Sequence, residues 1–464
     1  MKPDYILSLL KIHHDALRNH LFPGDGCEAI AIALCGQRKG TNRHKLLVRE
    51  VHCVPYENCS ERTGERLTWS TDLLAPLLKK ANQKRWSILK IHSHLEKSST
   101  FSRLDDTADR DLFSSVYGWT EDSLPHASAI MLPDGSMTGR VIAASGEFLP
   151  ITAIHLVSDD LKFWHHSKTH TDIPEFGTRV AQTFGKGTYD LLSKLKVAVI
   201  GCSGTGSLVI EQLARNGVGE LLLVDPDIVE EKNLNRIPNT TKQDAINETP
   251  KVAVLSRNIE KTGLGTKVEA LPLNLMDPKA LLAVADCDIA FGCLDTIEGR
   301  HILNRLATFY LIPYIDLGVK LVADGKGSVD EVCGSVHYLQ PGGSSLLSRG
   351  VYTDEELRAE SLRRTDPEGY EALRKEGYIQ NANEEKPAVI SVNMMVAALA
   401  VNELLARIAP FRARPNGEYA IQRFSLVNGF FHNQEDGLPC LALSKHSGRG
   451  DVPLLLDLPL LDTN

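Results

Sequence analysis

Apolar and polar positions give the chain two textures. Residues 1 to 155 mix short strand-like runs, such as Glu28–Leu34, with helical stretches such as Asp72–Ala81. From about residue 195 a regular alternation begins. Lys196–Gly201 reads as a buried strand, Ser207–Asn216 as an amphipathic helix closed by Gly217, and Glu220–Asp225 as a second strand. Thr249–Lys261 follows as a helix, with Thr249 as N-cap and Pro250 at the first helical position. Val268–Leu273, Asp288–Phe291 and Pro313–Leu317 read as strands, and Pro278–Val284 and Glu298–Phe309 as helices. Strands alternating with helices imply a mostly parallel α/β sheet covered on both faces. Between the two textures lies the polar segment Ser158–Pro174, with Trp164, His165, His166 and His170. It reads as a linker, and its histidines are assigned no role because exposed linker histidines far outnumber metal-binding tracts.

At 464 residues the chain exceeds one ordinary core. The expected division is a domain over 1–155, a linker over 156–175 and a second domain over 176–464. A hydrophobic fraction of 42% and a charged fraction of 24% exclude a collagenous or mainly disordered chain. The net charge of −8 argues against a dedicated nucleic-acid or anionic-membrane binder. No run of about eighteen uninterrupted apolar residues occurs; the stretch around Ala388–Ala400 carries Ser391 and Asn393 and reads as a core helix. The amino terminus lacks a long apolar run with a cleavage site and is not read as a signal peptide. Nine cysteines, an odd number thinly spread, fit a reducing, cytoplasmic compartment.

The first chemical constellation is Ile91-His92-Ser93-His94 followed by Ser98-Ser-Thr-Phe-Ser102-Arg-Leu-Asp105. Trp86–Ile91 reads as a strand, so His92 and His94, two apart, project from one face. Two imidazoles do not complete a zinc site; a third ligand must come from elsewhere, leaving one position for water. Ser102 fits an N-cap, and Leu104, Ala108, Leu112 and Val116 recur as a buried helical stripe, which places Asp105 in the first turn. For a lone His-x-His, satisfied core histidines would be the better reading. Several residue types at matched spacings reverse that. The spacing resembles the signature of the JAMM/MPN zinc metalloproteases. That resemblance implies an α/β metalloprotease domain with His92, His94 and Asp105 as Zn2+ ligands. It further implies Glu28 as the general base toward the zinc-bound water and Ser102 as hydrogen-bond donor to the developing oxyanion. Leu95 stands where that family often has proline.

The second constellation begins at Gly201-Cys-Ser-Gly204-Thr-Gly206, which ends a strand, turns and opens a helix. Such a turn lets backbone approach a phosphate at a helix N-terminus. With Asp225 at the end of the next strand to hold a ribose, it would also suit an NAD-dependent dehydrogenase. The residues that follow suit a polyphosphate instead. Asn233-Leu-Asn-Arg236, Lys251 in a first helical turn, and Asp295 in Leu294-Asp-Thr-Ile-Glu-Gly-Arg300 supply cations and a carboxylate able to hold Mg2+.

In this order the residues resemble the ThiF/MoeB/HesA superfamily, which includes ubiquitin-activating enzymes, from about Phe176 to about Ile408. The resemblance implies a Rossmann-like adenylation domain. ATP and Mg2+ would be held by Gly201, Gly204, Gly206, Asp225, Asp227, Asn233, Arg236, Lys251 and Asp295. The carboxylate attacking the α-phosphate would be the terminal glycine of a ubiquitin-like or sulfur-carrier-like protein. It also implies a homodimer in which Arg179 reaches the partner's ATP, and a conjugating-type enzyme as acceptor. Two departures stand out. Of the four cysteines that hold a structural zinc in many relatives, only Cys440 remains, opposite Pro341–Ser348. Residues 341–439 contain no cysteine, and Cys333 reads as a structural thiol in a strand, so adenylation is better supported than a thioester. Together the constellations describe a bifunctional enzyme that cleaves after a carboxy-terminal glycine and adenylates that glycine. The alternatives are carrier-protein adenylation for sulfur transfer and a binding scaffold with a degenerate ATP site.

Overall fold

The computed structural model describes residues 3–96, 98–120, 124–167, 172–324, 326–368, 370–371 and 388–461. The chain forms two compact units, the first also taking in Phe309–Leu311 and the stretch from His446 onward. This departs from a second domain running unbroken from 176 to the end. The physical reason is hydrogen bonding: Asp451 accepts from Lys39 N–H (2.9 Å) and donates its own N–H to Gln37 O (2.7 Å).

The first unit runs β1 (Asp4–Leu10), α1 (Lys11–Leu21), β2 (Ile30–Lys39), β3 (Arg43–Cys53), β4 (Cys59–Arg62), β5 (Leu67–Trp69) and α2 (Leu74–Lys84). It continues with β6 (Ser87–Ser93), α3 (Arg103–Trp119), β7 (His126–Met131), β8 (Met137–Ile142), β9 (Phe148–Val157) and β10 (Lys162–His165). The sheet order is β1-β3-β2-β6-β7-β8-β9-β10, and β1 also pairs with β9, so the sheet closes on itself with β10 left outside. One face packs Leu7, Leu9, Ala31, Ala33, Leu89 and Ile91 together. On the other, Ile32, Leu34 and Ile88 meet Leu77 and Leu78 of α2 and Phe113 and Val116 of α3. Burial on both faces explains the unbroken apolar run of β2. The expected linker, 156–175, is corrected here. Its first part completes β9 and forms β10, because Lys162–His165 pairs with β9 and Trp164 packs against the core. His170 lies outside the described residues.

The second unit runs α4 (Thr178–Phe184), α5 (Lys186–Leu192), β11 (Lys196–Ile200), α6 (Gly204–Arg215), β12 (Glu220–Val224), α7 (Lys242–Ile246) and α8 (Lys251–Thr262). Then come β13 (Lys267–Leu271), α9 (Pro278–Ala285), β14 (Ile289–Gly292), α10 (Ile297–Phe309), β15 (Tyr314–Ala323) and β16 (Val329–Leu339). The last elements are α11 (Asp354–Thr365), α12 (Ile390–Ile408), β17 (Ile421–Ser425), β18 (Phe430–Gln434) and α13 (Leu441–Ser444). Strand order is β13-β12-β11-β14-β15-β16-β17-β18, parallel through β15 and antiparallel beyond. Strand order reverses between β11 and β14, and open α/β sheets bind ligands at the carboxyl ends of strands at such a point. By length and composition α12 could cross a membrane, and 61% of its apolar window is buried. The helix expected from Thr249 begins instead at Lys251, as α8, with Pro250 as its N-cap.

Two buried histidines of the first unit carry a pH consequence. Burial lowers His44 and His126 from 6.5 to about 4. Between those values the unfolded chain binds more protons than the folded one, so stability is full above 6.5 and falls as pH drops toward 4. The loss is about 1.4 kcal/mol per pH unit for each histidine, read as urea midpoints at about pH 7 and about pH 5. An unchanged midpoint would contradict neutral burial.

Candidate functional site

In the first unit, β6 carries His92 at its buried end and His94 lies just past it, while Asp105 sits three residues after the N-cap of α3. Ser102 and Asp105 form a reciprocal capping box, which sets the start of α3 and aims the carboxylate at the histidines. His92 Nε2 and His94 Nε2 are 3.2 Å apart, and Asp105 lies 3.1 Å from the first and 3.7 Å from the second. The three ligand atoms lie within 4.8 Å of one another. His94 Nδ1 faces the carbonyl of Ser98 at 2.9 Å; a carbonyl only accepts, so Nδ1 holds the proton and Nε2 presents a lone pair. Burial lowers the His92 pKa and keeps that ring neutral. Burial works to raise Asp105, but the adjoining His92 and His94 rings and the Ser102 hydroxyl hold it well below the usual carboxylate range. Two imidazoles and a carboxylate converging from two elements fit Zn2+.

Glu28 precedes β2 by two residues. Because Ile30 pairs with His92 in antiparallel register, Glu28 falls opposite His94. Burial pushes its carboxyl up to about 7 against the opposing charge of His94. The Ser102 hydroxyl donates to Asp105 Oδ2 at 2.7 Å, which helps to position that carboxylate. The expected stripe on α3 is also corrected. Leu104 and Ala108 are exposed, and the buried residues are Asp109, Phe113 and Val116. Asp109 takes the core position because Lys90 of β6 (2.6 Å) and Arg140 of β8 (2.8 Å) both donate to it. Arg140 also stacks over Phe101 at 3.8 Å and pairs with Asp106. The lysine inside the apolar run Ile88-Leu-Lys90-Ile is the sequence signal for this cluster.

In the second unit, the turn after β11 leads directly into α6 at the switch point. Gly201 has φ +87°, and a Cβ there would lie 2.4 Å from Cys293 O; one on Gly206 would lie 1.8 Å from Gly201 O. Both glycines are therefore required by the turn's own backbone. The N-cap of α6, Ser203, makes no side-chain cap bond, which leaves the first-turn N–H groups open to an anion. The stem of Arg236 lies against Gly204, its Cδ 3.3 Å from where a Cβ would stand. Lys251, only 5% exposed, pairs with Asp227 at 2.7 Å. Asp295 is exposed in the loop after β14, which Arg300 pins by donating to Leu294 O (3.1 Å) and Leu317 O (2.8 Å).

Three expected ligands have other first duties. Asp225 accepts from Cys202 N–H (2.6 Å) and Asp227 N–H (2.8 Å), so it locks the glycine turn. Asn233 is buried and accepts from Glu230 N–H at 3.0 Å, capping a turn. Arg179 is exposed on α4 and donates to Gln182 at 3.1 Å. Cys333, on β16, lies 3.3 Å from Glu331, and burial raises its pKa, which disfavours a nucleophilic thiolate. The segments around Ser344 and Cys440 do meet: Cys440 N–H donates to Gly343 O (2.9 Å), and Arg349 donates to Ser344 Oγ (2.6 Å) and Asp436 (2.8 Å).

Comparison with known proteins bears on the second unit. A family model described as the ThiF family matches residues 177–436. “Adenylyltransferase and sulfurtransferase UBA4” of Debaryomyces hansenii is 31% identical over 158 residues, covering 34% of this chain and 33% of that protein. “Ubiquitin-like modifier-activating enzyme 5” of Aedes aegypti is 26% identical over 173 residues, covering 34% of this chain and 41% of that one. The chain thus spans between 33% and 41% of these curated relatives' lengths. Among solved structures, E. coli MccB with MccA-N7isoASN aligns with a TM-score of 0.45 and 21% identity, over 58% of this chain and 75% of that one.

Proposed function

The chain belongs to the ThiF family, and from that premise we propose that its second unit adenylates the terminal carboxylate of a small protein ending in glycine. The observation that carries this is the uncapped start of α6 at the sheet's switch point, with Arg236 against it. A carboxylate oxygen forms a bond to the α-phosphorus of ATP, the bond to the bridging oxygen breaks, and pyrophosphate leaves. The open N–H groups of α6 and the guanidinium of Arg236 hold phosphate oxygens, and Lys251 adds positive charge nearby. Mg2+, held by Asp295, supplies charge neutralisation when bound. The turn locked by Asp225 keeps these groups in place without reorganisation. Incorporation of labelled pyrophosphate into ATP, dependent on the small protein, tests the proposal.

The names of the two curated relatives support either a ubiquitin-like modifier or a sulfur carrier as the protein substrate. A thiocarboxylate product formed with a sulfide or persulfide donor would select the carrier. A conjugating-type acceptor, a homodimer completed by Arg179 and a cytoplasmic setting belong to the same proposal.

A specific observation favours a second activity in the first unit: the convergence of His92, His94 and Asp105, with Glu28 opposite. We infer a zinc-dependent peptidase or isopeptidase acting after a carboxy-terminal glycine. Zn2+ at these ligands supplies an acidified water and polarises a carbonyl when bound. Glu28, half-buried, receives a proton on its carboxylate and passes it to the leaving amine. Glu28→Gln should lower cleavage by about a hundredfold or more, keep zinc, and leave adenylation of a pre-trimmed substrate intact. Loss of both activities in a folded variant would contradict separate sites.

A further inference from the structure

We propose that Asn393 is a substrate-contacting residue of the α6 site, donating its side-chain amide to a phosphate oxygen of a bound nucleoside triphosphate; this rests on the adenylation reading above. Asn393 lies in the first turn of α12 and is only 4% exposed. Its backbone N–H donates to Val389 O at 3.1 Å. Its side chain makes no hydrogen bond among the described residues. Buried side-chain amides almost always have a partner, and one without a protein partner marks a place for a ligand or an ordered water.

Where the amide points decides between these. A Cβ built on Gly204 would stand 2.3 Å from Asn393 Nδ2, so the amide nitrogen occupies the space a side chain at 204 would need. Gly204 is the first residue of α6, whose N-cap supplies no side-chain bond. Arg236 Cδ lies 3.3 Å from the same point. Parts of the chain far apart in sequence therefore converge: the open N–H groups of α6, a carboxamide, and the stem of Arg236, whose guanidinium donates to Lys232 O (2.6 Å) and Asn235 Oδ1 (3.1 Å). N–H donors gathered at a helix start suit an anion. Packing alone does not call for an amide at 393, because leucine would fill nearly the same volume without an amide that no described residue bonds. The absent side chain at 204 then serves the site as well as the turn, since any larger residue would displace the amide from the helix start.

The test compares Asn393→Leu and Asn393→Asp, both close to asparagine in shape, in the full chain, by calorimetric titration with ATP–Mg2+ and separately with adenosine. Leucine should weaken ATP binding about tenfold by removing one donor to a charged group. Aspartate should weaken it on the order of a hundredfold by placing like charge against the phosphate. Adenosine affinity and melting temperature should stay at wild-type values in both. Equal ATP affinity in wild type and both variants would overturn the assignment alone. A matched loss for ATP and adenosine with lowered melting would reduce Asn393 to a structural residue. A wild-type chain that fails to bind ATP–Mg2+ would overturn the adenylation reading and this assignment together.

Discussion

Replacing Asp109 with alanine is expected to be the most damaging single change in the first unit. Asp109 is fully buried and accepts from two nearly buried cations, Lys90 and Arg140. Removing the carboxylate leaves the Lys90 charge in the core without its partner and Arg140 with Asp106 alone, a situation that costs about 3–5 kcal/mol. Thermal unfolding of the full chain should show the first unit's transition moved sharply down or lost, while the second unit's remains. The effect should reach the proposed metal ligands, because Asp105 lies one turn before Asp109 on α3 and Lys90 lies two residues before His92 on β6. Zinc affinity, measured by competition with a chelator, should fall with it. A compensated double change, Lys90→Met with Asp109→Leu, should cost less than Asp109→Ala alone, since replacing a buried pair with apolar groups is milder than orphaning one member. Wild-type melting in Asp109→Ala would show that the cluster holds nothing together.

The second large effect is expected in the other unit. Arg236→Ala removes the guanidinium at the start of α6, and Asp295→Ala removes the carboxylate in the loop after β14. Each should lower pyrophosphate exchange by about a hundredfold to a thousandfold, the usual cost of deleting one preorganised electrostatic group. Neither residue is buried, so both variants should melt as the wild type does. That separation of activity from stability distinguishes them from Asp109→Ala.

Much of the second unit was legible before any coordinates. Its strands and helices from Lys196 to Leu317 follow one another with clear changes of period, and each period is a local property. The glycine turn was legible for the same reason. What the local pattern does not contain is pairing across long separations. Nothing in Asp4–Leu10 says that it pairs with Phe148–Val157, and the closure of the first sheet depends on that pairing. The α3 stripe misled because Leu104 and Ala108 are apolar at helical spacing. The face that is buried contains a carboxylate, admitted to the core only by cations from β6 and β8. The linker reading failed at Lys162–His165 because a short outer strand with mixed polarity looks like loop until its partner is known. Asn393 read as a polar interruption of an apolar run. Its meaning comes from Gly204, a neighbour only in the folded chain.

The histidine–carboxylate cluster and the glycine turn stand differently. The spacing of His92, His94, Ser102 and Asp105 predicts a cluster, and the structure brings His92, His94 and Asp105 together with Ser102 bonded to Asp105. Of the residues expected to hold a nucleotide, Gly201, Gly204, Gly206 and the stem of Arg236 gather at one helix start, while Asp225, Asn233, Lys251 and the Arg236 guanidinium have partners of their own.

The central claim is adenylation of a carboxy-terminal glycine by the second unit. The most direct measurement is ATP–pyrophosphate exchange by the full chain across a panel of small ubiquitin-fold proteins ending in glycine, with Asp295→Ala alongside. The account predicts exchange that appears with at least one panel member, requires its terminal glycine and is lost in Asp295→Ala. Undiminished exchange in Asp295→Ala, or binding of ATP with no exchange for any member, would contradict it.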